Sequence, residues 1–320
     1  MQPIRYWWSG PICGLGNRLV AIAAVRACID ERVTVYFPWS NDPSCPGRYE
    51  DILETFPNLI PASAAPPDAI PLNTHGWEPL SIYAELSEAL KLDLSLANFC
   101  KKFVFELRHL PFKADLADGA RTWRQNIDEG PLVGVHIRRT DRSEHHRKEF
   151  RAFVMRKQGL SRELPLYLSA MYGFAPDSFM RFYENLVLVR SSRRIKQHGA
   201  GFWYAVFSDD TNEIRGFEEV AAFAGIDNSR HRITAAVNGG EIESEQTRMR
   251  QTGIREAISD LLRLSQCDAI VQNNRASTFS LVASMIGATP ILSAKTRYPF
   301  WLAIEEATGA APFDPIFSDR

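Results

Sequence analysis

Arg138 and Arg139 stand side by side, followed by Thr140 and Asp141, directly after the apolar run Leu132-Val133-Gly134-Val135-His136-Ile137. Each guanidinium is permanently charged and presents a planar fork of donors that meets two phosphate oxygens at once, a geometry lysine cannot reproduce. The preceding run has the length and β-branched content of a buried strand. In an open parallel sheet, ligands bind beyond the carboxyl ends of the strands. That placement favours an anion site over the plainer reading of an Arg-Arg-x-Asp segment as a surface ion-pair patch.

The segment Val133-Gly134-Val135-His136-Ile137-Arg138-Arg139-Thr140-Asp141-Arg142 resembles the H-x-R-R-x-D signature of the fucosyltransferase superfamily. It is nearest to the α-1,6 branch, which includes the core N-glycan enzymes and the rhizobial nodulation fucosyltransferases. The resemblance implies that Arg138 contacts the pyrophosphate as the leaving group departs, that Arg139 supports the same site, and that His136 faces the guanine or its ribose. It also implies a GT-B-like fold, GDP-fucose as the donor, an oligosaccharide acceptor, and neither a cofactor nor a metal ion.

Three further segments carry candidate donor-site residues. Gly14-Leu15-Gly16-Asn17-Arg18 lies between an apolar run and a helical one, where glycines admit a ligand to the backbone and the helix N-terminus favours negative charge. It is not a dinucleotide fingerprint, since Leu19 occupies the third glycine position, nor a P-loop, since no Gly-Lys-Ser/Thr follows. It is similar to the G-G-L-G-N-Q/R turn of several bacterial fucosyltransferases, with Cys13 in place of the first glycine. A tight strand-to-helix turn without a ligand is the competing reading. Phe207-Ser208-Asp209-Asp210-Thr211 ends another strand with two acids, and resembles the T-D-D motif of the α-1,6 family. Adjacent carboxylates could hold a divalent metal, while Asp210 could equally cap the following helix.

The third segment is Ile254-Arg-Glu-Ala-Ile-Ser-Asp-Leu-Leu-Arg-Leu-Ser-Gln-Cys-Asp268, helical in its spacing, with Asp260 at the border of the apolar face. It resembles the family segment in which a helical aspartate precedes Leu-Ser-Gln-Ala-Asp, a buried strand and a serine-rich helix start. The resemblance makes Asp260 the nucleotide-binding acid and Ser277, with Thr278 beside it, the helix-start hydroxyl. The chemistry is consistent. One carboxylate accepts both neighbouring donors of guanine, and a helix start with free N–H groups holds phosphate oxygens.

If the resemblance holds, the reaction is displacement with inversion at the anomeric carbon. Arg138, Arg139 and the helix start would then stabilise the departing GDP. Asp141, Glu144 and Glu149 are the candidates for the base that takes the acceptor proton. Around them Arg142-Ser143-Glu144-His145-His146 departs from the family pattern. Two other readings remain open: a transferase of the same fold using another nucleotide sugar, and a non-catalytic glycan-binding protein whose Trp7, Trp8, Trp39 and Trp203 stack on sugars, although most tryptophans are core residues.

The elements that must position these groups alternate. Strands are expected at 4–8, 33–37, 132–137, 203–207, near 231–233, 269–272 and 290–292. Helices are expected at 17–30, 81–96, 177–196, 213–224, 244–265, 277–286 and 299–307. Such alternation argues for helices packed on parallel sheets, an α/β chain of two Rossmann-like halves facing a cleft. The boundary is placed near Asp128, giving an acceptor-side domain over 1–128 and a nucleotide-sugar domain over 129–320. The chain of 320 residues is long enough for two cores.

A net charge of -1 supplies no global positive field, which argues against a nucleic-acid partner. The five cysteines are widely spaced without a C-x-x-C pair and read as reduced, packed thiols. Neither a secretory leader nor an apolar run long enough to span a bilayer is visible, so a cytoplasmic protein, or a catalytic domain without its anchor, is expected.

Overall fold

The computed structural model describes residues 3–10, 13–41, 45, 47–72, 76, 78–127, 130–137, 185, 188, 203–208, 211–223, 233–235, 253–272, 277–293, 304 and 313–315. Two parallel sheets organise them. The first contains β1 (Ile4–Trp8), β2 (Val33–Phe37), β3 (Leu59–Pro61) and β4 (Ile70–Leu72), in the order β3-β2-β1-β4. The second contains β5 (Leu132–Ile137), β6 (Trp203–Ser208), β7 (Ile233–Ala235), β8 (Ala269–Gln272), β9 (Ile291–Ser293) and β10 (Phe313–Pro315), in the order β10-β9-β8-β5-β6-β7. Every pairing within both sheets is parallel.

The order of the second sheet reverses at its first strand. β6 and β7 lie on one side of β5, and β8, β9 and β10 on the other, which is the doubly wound Rossmann order. Each of the six residues of β5 is buried, as a strand covered on both faces must be. The first sheet reverses in the same way at β1, which has β2 on one side and β4 on the other.

Helix α1 (Leu15–Cys28) follows β1 and buries 12 of its 14 residues, including the run Leu19-Val20-Ala21-Ile22-Ala23-Ala24-Val25. A helix apolar all round belongs inside a protein. It packs against α2 (Pro79–Leu90), α3 (Leu96–Arg108) and, across the two sheet units, α7 (Thr278–Gly287). Helices α4 (Ala114–Gln125), α5 (Thr211–Phe223) and α6 (Ile254–Ser265) lie between α3 and α7 in sequence, and α6 lies against both α4 and α7.

Several polar contacts join the two units. Arg108 Nε donates to the carbonyl of Met285 at 2.8 Å, and Arg255 Nη1 donates to the carbonyl of Asp51 at 2.7 Å while pairing with Asp115. Apolar contact is continuous as well, since one buried cluster includes Leu19 and Val25 of α1 together with Leu281 and Val282 of α7.

One expectation from the sequence needs correction. The single helix at 81–96 is two helices: α2 stops at Lys91, whose backbone is left-handed at φ 50°, and α3 starts after the Ser95 cap, whose side chain accepts from the Asn98 N–H. The charged stretch before β5 holds α4. The Pro- and Ala-rich stretch at 57–79 contributes β3 and β4, both three residues long and both at edges of the first sheet, where a proline costs no ladder bond. The helices expected at 177–196 and 299–307, and the first part of the one at 244–265, lie largely outside the described residues.

Candidate functional site

The reversal point of the second sheet lies between β5 and β8, where His136 pairs in register with Gln272. Both side chains are buried. In sequence, Arg138 follows β5 directly, and the start of α7 follows β8 after residues 273–276. A crevice outside the carboxyl ends at such a reversal is where doubly wound sheets bind ligands.

Helix α7 begins with Ser277 at the N-cap, yet its side chain makes no capping bond. The hydroxyl is fully buried, and no hydrogen-bond partner for Oγ is present among the described residues. Leaving such a group unsatisfied costs about 1–3 kcal/mol, and serine at an N-cap ordinarily satisfies it on its own helix.

The imidazole of His136 is fixed by the same turn. Its Nδ1 lies 2.5 Å from Ser280 Oγ, and its ring stacks on Phe279 with centroids 5.2 Å apart. The first turn of α7 thus supplies a platform on one face of the ring and a hydrogen bond at one edge.

The glycine turn of the first sheet reaches the same place. Gly14 is the N-cap of α1 and offers no side-chain cap. A Cβ at Gly16 would lie 3.0 Å from the Phe279 N and 3.1 Å from the Thr278 C, so the two helix starts are in backbone contact. Only a residue without a side chain permits that approach. Asn17, next in line, has a buried Oδ1 without a hydrogen-bond partner among the described residues. Two helix N-termini, each carrying partial positive charge from unpaired N–H groups, therefore converge. That arrangement suits an anion larger than a single carboxylate.

The structure thus brings together His136, Gly14, Gly16, Asn17, Ser277 and Thr278. Asp260 sits on another helix, α6, six residues past its start. Asp260 is 9% exposed, and its carboxylate pairs with Arg263 Nη1 at 3.9 Å. Burial pushes the Asp260 carboxyl up to about 7, with Arg263 pulling it down and Glu256 adding to the rise. Arg263 in turn stacks over the Trp123 ring of α4. No hydrogen bond joins Asp260 to His136 or Ser277 among the described residues. The six candidates Arg138, Arg139, Asp141, Glu144, Asp209 and Asp210 lie outside the described residues, as does Glu149.

Sequence reading missed Ser280 and Phe279 as the partners of His136; the signal available was the Ser277-Thr278-Phe279-Ser280 cluster at a helix start. Of the tryptophans considered for sugar stacking, Trp8 is fully buried against Phe37, while Trp7, Trp39 and Trp203 are half-buried. The five cysteines are free thiols, all but Cys13 buried. Among the described residues no cluster of three or more His, Cys, Asp or Glu side chains is placed to hold a metal ion, and no helix is long and apolar enough to cross a membrane.

No protein-family model matches the chain, and a search of the curated proteins finds no match. Solved structures do match. A NodZ α-1,6-fucosyltransferase co-crystallized with GDP has a TM-score of 0.52 and 14% identity, with 91% of this chain and 95% of that chain covered. The same enzyme soaked with GDP-fucose gives 0.51 and 11%, with the same coverage. The fucosyltransferase NodZ from Bradyrhizobium gives 0.50 and 13%, with 90% of this chain and 96% of that chain covered. What this chain shares with these fucosyltransferases is their GT-B-like α/β fold of parallel sheets.

Proposed function

We propose that the chain is an inverting glycosyltransferase that moves fucose from GDP-fucose to an oligosaccharide acceptor, with an α-1,6 linkage, and that it works without a metal ion. The observation that carries this reading is the convergence of the α1 and α7 N-termini at the reversal points of two parallel sheets, around the buried Ser277 hydroxyl, which has no hydrogen-bond partner among the described residues. The fold shared with NodZ, whose structures were obtained with GDP and with GDP-fucose, supports it.

In this reading the diphosphate lies between the helix starts, with Gly14 and Gly16 allowing its approach and Ser277 and Thr278 donating to its oxygens. Arg138 and Arg139 follow directly on β5 and reach the same oxygens. As the bond from the anomeric carbon to the β-phosphate oxygen lengthens, negative charge grows on the diphosphate. Fixed donors aimed at that charge stabilise the transition state more than the ground state. Asp209 and Asp210 follow β6, next to β5, and support the donor side. Asp260 accepts N1–H and the exocyclic amine of guanine. The acceptor hydroxyl attacks from the opposite face, its proton passing to Asp141 or Glu144. Residues 129–320 hold the donor and residues 1–128 the acceptor, in a protein of the cytoplasm without a nucleic-acid partner.

Thermal unfolding with GDP, UDP and dTDP tests the donor. A nucleotide at about 100 times its dissociation constant stabilises by about 2.7 kcal/mol. GDP is expected to raise Tm clearly above the shifts with UDP and dTDP at equal concentration. Equal shifts for all three, or none, contradict a GDP-sugar donor.

A further inference from the structure

The reading above gives no role to Arg18, the last residue of the Gly14-Leu15-Gly16-Asn17-Arg18 turn. It is also the most buried charged group described, at 2% exposure. Its guanidinium spans two chain segments. Nε donates to the carbonyl of Cys13 at 2.8 Å, and Nη1 donates to the carbonyl of Ser40 at 2.7 Å. Cys13 immediately precedes the Gly14 N-cap of α1, and Ser40 lies beyond the carboxyl end of β2.

The same guanidinium lies over the indole of Trp39, 4.9 Å from its centroid. Trp39 is held in turn: its Nε1 donates to the carbonyl of Gly47 at 3.0 Å, and its ring meets Tyr49 edge to face at 5.5 Å. Gly47 donates to Asn41 Oδ1 at 2.9 Å and lies against the side chain of Ile254, the first residue of α6. A chain of contacts therefore runs from the glycine turn through Arg18 and Trp39 to the start of the helix that carries Asp260.

A cation in the first turn of a helix opposes the macrodipole, at a cost of about 0.3–1 kcal/mol, and burying one costs more. Two hydrogen bonds and an indole face offset that cost, and the same contacts hold the turn in place. Only a planar fork can bond two carbonyls at different angles while its face covers an indole.

We infer that Arg18 is a positioning residue of the anion site, which clamps the Cys13 and Ser40 carbonyls and thereby fixes the glycine turn against the Thr278-Phe279 backbone. The inference rests on the donor reading of this site. A misplacement of the turn by a fraction of an ångström would move the α1 N–H groups away from the phosphates.

The test is the dissociation constant for GDP by calorimetry, on the full chain, for wild type, Arg18→Lys, Trp39→Phe and Leu86→Ala. Leu86, buried in α2, is a comparator that lowers stability away from the site. Each protein is measured well below its own Tm, with the folded state checked by circular dichroism. Arg18→Lys, which keeps the charge but loses the fork, is expected to weaken GDP binding by about tenfold or more. Trp39→Phe, which releases the Gly47 carbonyl, is expected to weaken it by a smaller factor, and Leu86→Ala to lower Tm while leaving the constant at the wild-type value. A folded Arg18→Lys within twofold of wild type overturns the inference. Should Arg18→Lys fail to fold, Trp39→Phe at the wild-type constant overturns it instead. A weakening of equal size in Leu86→Ala also overturns it, because the effect would then be general destabilisation. Absence of GDP binding to wild type is the separate outcome that removes the donor reading itself, and this inference with it.

Discussion

The imidazole of His136 and the hydroxyl of Ser280 meet at 2.5 Å across 144 residues of sequence, joining the central strand β5 to the first turn of α7. Whether Ser280 donates to Nδ1 or accepts from Nδ1–H, the bond fixes the ring at the mouth of the crevice. Ser280→Ala leaves a buried ring nitrogen without this partner, a loss of about 1–3 kcal/mol. Urea unfolding should show a drop of that size, and kcat/KM for donor should fall with it. An unchanged kcat/KM in a destabilised Ser280→Ala would show that the ring orientation has no bearing on the site.

Ser277 is expected to behave in the opposite way. Its hydroxyl is buried with no partner among the described residues, so Ser277→Ala is expected to remove a desolvation cost and to keep or raise stability. Affinity for GDP should nonetheless fall, by the worth of a hydrogen bond to a charged group, about 1.5–3 kcal/mol. Calorimetry beside thermal unfolding of the ligand-free variant measures both signs.

Gly16 tests the helix contact. Alanine is favoured over glycine within a helix by about 1 kcal/mol, but a Cβ at Gly16 would press on the Phe279 backbone at 3.0 Å. Backbone cannot swing aside as a side-chain end would, and overpacking costs about 1–3 kcal/mol. The strain term should win: Gly16→Ala is expected to lower Tm and weaken GDP binding. A rise in Tm with GDP affinity intact would mean the helix starts part without consequence.

Asp260 predicts a pH dependence. Its folded pKa of about 7 lies above the ordinary 3.8. Between about pH 4 and about pH 7 the unfolded chain has released this proton while the folded chain still holds it, so folding stability falls as pH rises through that window. The full span is about 4 kcal/mol. Asp260→Asn should flatten this part of the stability profile. A guanine that needs the ionised carboxylate should bind more tightly as pH rises through 7 and release a proton on binding, which calorimetry in buffers of different ionisation enthalpy detects. The groups that modulate this titration are Arg263 and Glu256, on the same helix.

The strands that build the site were legible because their patterns are local. The apolar runs of β5 and β8 are bounded by polar residues, and the structure places β8 at the residues read from sequence, 269–272. Helix α7 is displaced by one residue, because Ser277 caps it instead of joining it. The break between α2 and α3 was not legible, since no glycine or proline marks Lys91, and Leu92 and Leu94 continue the apolar pattern. Within the site, single residues were readable and their contacts were not. The approach of Gly16 to Thr278, the bond from His136 to Ser280 and the burial of Arg18 all depend on how two distant helices meet. An arginine in a helix start reads as exposed until Cys13, Ser40 and Trp39 are seen around it.

The measurement that bears most directly on the account is product formation. Wild type and Arg138→Ala are incubated with GDP-fucose and mixed oligosaccharides in the presence of a chelator, and the product is identified by mass and linkage. The account predicts a fucosylated oligosaccharide from wild type, and turnover reduced by about 10²–10³ in Arg138→Ala at saturating donor, the scale of losing one preorganised donor. No transfer to any acceptor, or an Arg138→Ala variant with near-normal turnover, would contradict it.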